Sequence, residues 1–260
     1  VVGAVAVLFF LLQRNTPQDV GLPAVESTDT PQLDGNGRHA SFASCLKTIL
    51  RNRTVLVLGL AYFLLKPARY AILFWGPVMV YERMPEIGKV ASAIVPTSFE
   101  VAGLVGPILL GLMSDKLFGA RRFPACVISL LALTACLALF VPAMQSGSVL
   151  AVVGLLFMMG LSLYGPDSMI SGSAAIDYGQ GTAGTAAGFV NGCGSIGAIL
   201  GGLLPGYFDT ESVFLLFTGT ALIATVMMLP YWNSRPNQLA PHPSNPLNPN
   251  SAVSNASFRA

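Results

Sequence analysis

Charged residues are scarce in this chain. Only 10% of its 260 residues are charged, whereas about 25% is usual in soluble domains. Hydrophobic residues make up 53% of the sequence, and the mean hydropathy is +0.65. These values exclude an ordinary soluble domain and predict an integral membrane protein. The net charge of +2 gives no reason to expect a nucleic-acid partner.

Cysteine and histidine are also rare, which limits the chemistry that the chain can perform. The two histidines, His39 and His242, fall in polar segments. We predict neither a disulfide framework nor a metal site, and no cofactor. Since no nucleophile–base pair stands out either, we do not expect an enzyme. The four cysteines stand apart, without a CxxC pair or a Cys/His cluster: Cys45, Cys126, Cys136 and Cys193.

Long hydrophobic runs organise the rest of the sequence and predict an all-α membrane domain at 54–232. We interpret 1–12 as the end of a truncated transmembrane helix, 13–53 as a cytoplasmic interdomain loop and 233–260 as a disordered cytoplasmic tail. Six apolar segments are each long enough to cross the roughly 30 Å hydrocarbon core as a helix: 54–81, 90–113, 123–144, 148–172, 183–207 and 211–232.

Basic residues outside these spans are distributed unequally between the two membrane faces. Cytoplasmic loops carry an excess of Lys and Arg, so we expect loop 13–53 and the tail to be cytoplasmic. The membrane is then a bacterial inner or plasma membrane, or the endoplasmic reticulum or another membrane in a eukaryote. The opposite face has only Arg83 and Lys89. The cytoplasmic face collects ten basic residues: Arg14, Arg38, Lys47, Arg51, Arg53, Lys116, Arg121, Arg122, Arg235 and Arg259.

Two basic residues, Lys66 and Arg69, lie near the middle of the first predicted span. A cation at that depth costs about 2.5–3.5 kcal/mol on insertion scales, so it normally faces a bundle interior or a cavity and has a polar partner. Helical spacing places Tyr62 and Tyr70 on the same stripe. We therefore expect this stripe to receive an anionic ligand. The alternative is a structural pair with an acid on a neighbouring helix, for which Glu100 is available.

Pro67 lies between the two cations. It removes one backbone donor, and its ring clashes with the carbonyl one turn back, so we expect the helix to be kinked or locally opened there. Broken helices at mid-membrane depth are one way in which transporters build a binding site.

Glycines mark the fifth span and indicate close helix packing. On the same span, Asn191 is the polar residue that we expect to reach a cavity. The glycines are Gly184, Gly188 and Gly192, at four-residue spacing, followed by Gly197 and Gly201.

The turn between the second and third spans holds an acid, Asp115, followed by the basic pair Arg121 and Arg122. Such a group can latch two helix ends together, or it can serve only as a positive anchor at the cytoplasmic face. The turn resembles the signature loop G-x-x-x-D-x-x-x-G-R-R of the major facilitator superfamily, with Ala120 as an extra residue.

Six spans after a long loop are similar to the C-terminal half of a major facilitator. This resemblance implies two inverted three-helix repeats and a partner N-terminal six-helix half outside this sequence; we expect a monomer. Within the superfamily, several stretches resemble the organophosphate:phosphate antiporters and the sugar-phosphate exchangers: Arg69-Tyr70 with Trp75, and segments 99–103, 164–166, 181–189 and 192–198.

The resemblance implies a secondary active transporter that exchanges an organophosphate, such as glycerol 3-phosphate or a hexose phosphate, for inorganic phosphate. A phosphomonoester carries about −1.5 to −2 charges, and a guanidinium can hold its oxygens with two parallel hydrogen bonds. The alternative is a membrane sensor of sugar phosphates, as in some relatives of this family. The predicted substrate contacts are Lys66, Arg69, Tyr70, Tyr62, Trp75 and Asn191.

Two departures from the family pattern leave the substrate open. Ser173 stands where glycerol-phosphate carriers have a histidine, and Asp167 replaces an uncharged residue. Asp167 either pairs with a basic residue as a gate or faces water; both alternatives stay open. The predicted gating or charge-pair residues are Glu100, Asp167, Asp115, Arg121 and Arg122.

Overall fold

The computed structural model describes residues 2–13, 21, 41–179 and 182–235. Most of the predicted loop at 13–53 and of the predicted tail at 233–260 lies outside these residues. The described residues form helices and no strand. In chain order the helices are α1 Val2–Leu12, α2 Phe42–Arg51, α3 Arg53–Arg83, α4 Gly88–Ile94, α5 Thr97–Phe118, α6 Arg122–Gln145, α7 Val149–Met169, α8 Ala175–Asp177, α9 Ala183–Tyr207 and α10 Thr210–Met228. Two 3₁₀ turns, at Pro85–Ile87 and Leu229–Tyr231, and a π-helical turn at Ile170–Ala174 complete the helical segments.

Six of these helical segments are long and apolar enough to cross a membrane. They agree with the six predicted segments to within a few residues, which confirms the prediction of an all-α integral membrane protein. Helix α1 is also apolar but shorter, and its residues are exposed. The six segments are Arg53–Arg83, Pro85–Phe118, Arg122–Gln145, Val149–Asp177, Ala183–Tyr207 and Thr210–Tyr231.

Helix α2 lies inside the segment that was predicted as a loop, and its Ile49 is buried. Asn52 joins α2 to α3 and caps α3, because its Oδ1 accepts hydrogen bonds from the backbone N–H groups of Thr54 at 3.1 Å and Val55 at 3.3 Å. The same side chain donates from Nδ2 to the carbonyl oxygen of Tyr178 at 2.8 Å. The start of α3 is therefore tied to the end of α8.

Two helix pairs, α3 with α9 and α5 with α7, make the most extensive contacts in the bundle. Glycines allow these close approaches. A Cβ on Gly197 would collide with the carbonyl oxygen of Phe63, and a Cβ on Gly201 would collide with the carbonyl oxygen of Pro67. Gly160 allows the same approach between α7 and α5. The close packing predicted for Gly197 and Gly201 is confirmed.

The other three glycines of the predicted pattern lie on a different face of α9. A Cβ on Gly184, Gly188 or Gly192 would meet nothing within 4 Å, so the prediction that they pack closely is wrong for the described bundle. The reason is the five-residue step from Gly192 to Gly197, which rotates the position by about 140° around the helix axis.

Helix α3 remains helical through Pro67, so of the two alternatives expected there, a kink or a local opening, the opening is not found. Because Pro67 has no N–H, it gives no helical hydrogen bond to the carbonyl of Phe63, and Gly197 lies against that carbonyl. The irregular backbone is instead on the neighbouring α7, where the π-helical turn Ile170–Ala174 follows Pro166.

Candidate functional site

The two cations of α3 meet a single carboxylate on α7. Lys66 Nζ lies 3.0 Å from Asp167 Oδ1, and Arg69 Nη1 lies 2.6 Å from Asp167 Oδ2. The exposed fractions of the three side chains are 11% for Lys66, 25% for Arg69 and 9% for Asp167. Residues three apart on a helix share a face, so both cations reach the same neighbour, as their spacing predicts.

Of the two alternatives for Asp167, the structure shows the pairing with basic residues and not the water-facing position. Glu100, which was available as a partner acid under the alternative interpretation of the cations, does not take that place. Its Oε2 accepts a hydrogen bond from the hydroxyl of Tyr164 at 2.6 Å. The physical reason is helix packing: Glu100 lies on α5, which packs mainly against α7, where Tyr164 takes its carboxylate.

An irregular stretch of α7 surrounds Asp167. Pro166 precedes it and the π-helical turn Ile170–Ala174 follows it; π-turns inside α-helices are frequent at functional sites. Ser171, in that turn, donates from Oγ to the carbonyl oxygen of Asp167 at 2.7 Å. Asn191 of α9 donates from Nδ2 to the carbonyl oxygen of Ser171 at 3.2 Å. Asn191, which is exposed, therefore contacts the π-helical turn that follows Asp167.

Three tyrosine rings lie against the cations. Lys66 Nζ is 4.6 Å from the ring centroid of Tyr62 and 5.5 Å from that of Tyr70. Arg69 Cζ is 4.3 Å from the ring centroid of Tyr164. Such contacts are attractive because the face of an aromatic ring carries partial negative charge. Tyr164 was not among the predicted site residues, since it comes from another helix and no spacing relates it to Arg69.

Trp75 lies away from this cluster, although it was predicted as a substrate contact. It follows Arg69 by six residues, which is about 9 Å along a helix. Its Nε1 donates to the carbonyl oxygen of Gly202 on α9 at 3.0 Å. Because the indole has a single N–H donor, the structure uses Trp75 to join α3 to α9.

The second predicted charge cluster lies at the turn between α5 and α6. Arg122 Nη1 is 2.9 Å from Asp115 Oδ1, and Arg122 Nε is 3.0 Å from Asp177 Oδ2. Arg122 thus links the ends of α5, α6 and α8. Arg121 donates instead from Nε to the carbonyl oxygen of Phe118 at 3.0 Å. Asp177 was not predicted, because 55 residues separate it from Arg122.

The extra residue of this turn has a clear backbone role. Ala120 has a φ of +62°, directly after Gly119 with a φ of +57°. Two consecutive residues in the left-handed region reverse the chain between α5 and α6, at a cost of about 1–2 kcal/mol for the alanine.

The charge balance of the main cluster leaves it open to a further anion. Lys66, Arg69 and Asp167 carry two positive charges and one negative charge when ionised, a net charge of +1. Arg69 Nε is buried and has no hydrogen-bond partner among the described residues, although a guanidinium offers five N–H donors. The described residues hold no group of three His, Cys, Asp or Glu that could bind a metal ion. The cluster can therefore offer N–H donors to an anion with several oxygens, or it can serve as a structural ion pair between α3 and α7, the alternative that the sequence left open.

These features define a helical membrane protein with a shielded cation cluster between two of its spans. The family model of the Major Facilitator Superfamily matches residues 1–202, and the chain belongs to this superfamily. Membership in a transporter superfamily agrees with the expectation that the protein is not an enzyme.

Three relatives show where the chain stands within the superfamily. A probable hexose phosphate transport protein of Chlamydia trachomatis is 30% identical over 249 residues, which cover 88% of this chain and 54% of the relative. A glycerol-3-phosphate transporter of Bacillus subtilis is 28% identical over 246 residues, covering 88% and 54%. The membrane sensor protein UhpC of Escherichia coli is 29% identical over 234 residues, covering 85% and 52%. The chain spans about half the length of each relative, and their names agree with the resemblance to the organophosphate:phosphate antiporters.

Proposed function

We propose that the complete protein is a secondary active transporter that exchanges an organophosphate, such as glycerol 3-phosphate or a hexose phosphate, for inorganic phosphate by alternating access. Lys66 and Arg69 hold the phosphoryl group that both substrates share. The observation that supports this proposal best is the pair of shielded cations that converge on one carboxylate while guanidinium donors remain unused. The names of the Chlamydia and Bacillus relatives support the substrate class.

A phosphoryl group suits this cluster better than a carboxylate does. Its charge of about −1.5 to −2 at neutral pH balances both cations, whereas one carboxylate balances one. Arg69 can donate two parallel hydrogen bonds to phosphate oxygens, and Lys66 adds a point charge. The rings of Tyr62 and Tyr70 flank the ammonium group. In the complete carrier, the N-terminal half predicted from the sequence closes the site, and the two halves rock around it.

Exchange follows from the cost of uncompensated charge. Without a bound substrate the cluster keeps a net charge of +1 even when Asp167 pairs with the two cations, and such a charge in a low-dielectric interior is unfavourable. A carrier that binds a second anion therefore changes more easily between its inward-facing and outward-facing states. We further propose that the protein acts as a monomer in the bilayer, with loop 13–53 and the tail in the cytoplasm.

Phosphate counterflow into proteoliposomes that contain the complete protein tests this function. Arg69→Ala is expected to slow counterflow by roughly 100-fold, because truncating one partner of a buried charged hydrogen bond costs about 2–5 kcal/mol. Lys89→Ala is the control, since it removes an exposed basic residue of α4 and should exchange at the normal rate. Normal exchange by Arg69→Ala would contradict the proposal. A panel of glycerol, hexose and three-carbon acid phosphates then identifies the organophosphate.

A membrane sensor of sugar phosphates is the second candidate, and the similarity to UhpC favours it. A sensor would bind sugar phosphate but would not accumulate labelled phosphate in the same proteoliposomes. Binding without accumulation therefore selects the sensor, and accumulation selects the transporter.

A further inference from the structure

We infer that Asp167 is an internal competitor for the substrate phosphate. In the empty carrier, its carboxylate occupies the position of the phosphoryl group. This allows the carrier to change between its inward-facing and outward-facing states without substrate. Exchange is then favoured but not obligatory, and net transport of substrate is possible. This inference rests on the proposed function, because it concerns the same two cations.

The geometry of the carboxylate supports this role. Each oxygen of Asp167 pairs with one cation, at 3.0 Å to Lys66 Nζ and 2.6 Å to Arg69 Nη1. A phosphoryl group that bridges the two cations takes the place of the carboxylate at Lys66 Nζ and Arg69 Nη1, and its further oxygens can use the Arg69 Nε donor that Asp167 leaves unbonded. The carboxylate and the phosphoryl group therefore exclude each other at this position.

Charge balance decides which anion stays. With Asp167 alone the cluster carries +1, and with a phosphate dianion in place of the carboxylate it carries 0. With both anions present it would carry −1, so a bound dianion repels the carboxylate. Ser171 donates to the backbone carbonyl of Asp167 and not to its carboxylate, so this hydrogen bond does not hold the side chain between the cations.

The same carboxylate lowers the free-energy cost of reorienting the carrier when no substrate is bound. Two uncompensated cations at low dielectric are unfavourable, and Asp167 compensates one of them without any substrate. The empty carrier is thus a stable species with its own internal anion. A carrier that lacks this acid reorients only after a second substrate has bound.

Asp167→Asn tests the competition in the complete protein, purified in detergent and titrated calorimetrically with inorganic phosphate. We expect the Kd for phosphate to fall roughly tenfold or more, because a competitor that fills nine of ten empty sites weakens the apparent affinity about tenfold. Without phosphate, the variant should also melt at a lower temperature than the wild type. Added phosphate should raise that temperature more in the variant, since a tighter ligand stabilises the folded state more.

The transport prediction separates exchange from net flux. In proteoliposomes, Asp167→Asn should keep phosphate counterflow but lose net uptake into vesicles without internal phosphate, so that the ratio of net uptake to counterflow falls at least severalfold. Glu211→Gln is the matched control. It also removes a carboxylate that pairs with an arginine, at 2.9 Å from Arg83 Nη1, but at another part of the bundle. It should leave both the Kd and the ratio unchanged.

Three results would overturn the inference. An unchanged phosphate Kd together with an unchanged ratio shows that Asp167 does not compete. Weaker phosphate binding by a folded Asp167→Asn protein shows that Asp167 positions the cations for the substrate. A wild-type protein that neither binds phosphate nor shows counterflow removes the proposed function itself, a failure that is distinct from the other two.

A second pair of variants covers the case in which Asp167→Asn does not fold. Lys66→Met combined with Asp167→Asn removes one cation and one anion, so the net charge of the cluster stays at +1. The inference predicts that this double variant binds phosphate more tightly than Lys66→Met alone. Equal or weaker binding by the double variant contradicts it.

Discussion

Individual side chains of α3 direct their polar atoms to different neighbouring helices. Lys66 and Arg69 direct their charged groups to Asp167 on α7, and Arg69 Nε has no hydrogen-bond partner among the described residues. Trp75 directs its only donor to the backbone of α9, at the carbonyl oxygen of Gly202. The same helix therefore carries two kinds of residue, although sequence resemblance groups them together.

Trp75→Phe is expected to lower the melting temperature of the protein without weakening phosphate binding. The hydrogen bond to Gly202 is lost, which costs about 0.5–1.5 kcal/mol, and a smaller ring leaves space beside α9. Thermal melting and phosphate titration of the same sample measure both effects. Phe74→Leu is the control, because that neighbouring ring is 59% exposed and should change the melting temperature less. Weaker phosphate binding at unchanged melting temperature would place Trp75 at the substrate.

The main residues of the cluster could be recognised in the sequence, but their connections could not. Lys66, Arg69 and Asp167 are all visible as charges inside apolar runs, where each needs a partner. The pairing itself was not visible, because 98 residues separate Arg69 from Asp167 and no local spacing relates them. For the same reason Glu100, another acid in an apolar span, was an equally reasonable partner before the helix packing was known.

At the scale of elements, the contact between α3 and α9 holds the cluster in place. The two cations of the cluster are on α3, and three glycines of α9 lie against that helix. Gly194 packs against the ring of Tyr62, and Gly197 and Gly201 pack against the backbone of α3. The position of Lys66 and Arg69 relative to α7 thus depends on how closely α9 can approach.

Gly201→Ala is expected to destabilise the protein by about 1–3 kcal/mol, the usual range for overpacking a close contact. The new methyl group would collide with the backbone of Pro67, which cannot move without shifting α3. Gly202→Ala is the matched control, since a Cβ there would meet nothing within 4 Å. Thermal melting of both variants in the complete protein measures the difference. Equal melting temperatures would contradict the close contact between α3 and α9.

Helix positions followed from hydrophobic length, whereas irregular elements did not. The six spans were predictable because crossing a membrane requires about 20 apolar residues. Helix α2 was missed because it is short and lies in a polar stretch. The π-helical turn Ile170–Ala174 was missed because no residue pattern predicts it. Pro67 is a residue that predicts a helix break, but it lies in a continuous helix. Proline lowers the stability of a helix, but tertiary packing decides whether it opens.

At the scale of the whole bundle, the helix pairs have a regular relation. When the first three spans are exchanged with the last three, the pair α3–α9 becomes α7–α5, which is the other extensive contact. This is the relation that two inverted three-helix repeats would produce, and the repeats remain a prediction. Ion pairs also occur at opposite ends of α6, with Arg122 at its start and the Arg83–Glu211 pair near its end, where Gln145 contacts Glu211.

The orientation of the bundle is the remaining prediction at this scale. Lys116 is close to the turn before α6, and Ser146 follows α6; both residues are exposed. The 24 residues of α6 extend about 36 Å, more than the roughly 30 Å hydrocarbon core, so the two positions lie on opposite membrane faces. The excess of Lys and Arg predicts that Lys116 lies on the cytoplasmic face.

Cysteine labelling in intact cells measures this orientation in a variant from which Cys45, Cys126, Cys136 and Cys193 have been replaced. A membrane-impermeant maleimide should label Ser146→Cys from outside and should label Lys116→Cys only after the membrane is permeabilised. The reverse pattern would show that loop 13–53 is not cytoplasmic. Labelling of both positions from outside would show that α6 does not span the membrane, because both of its ends would then lie on one face.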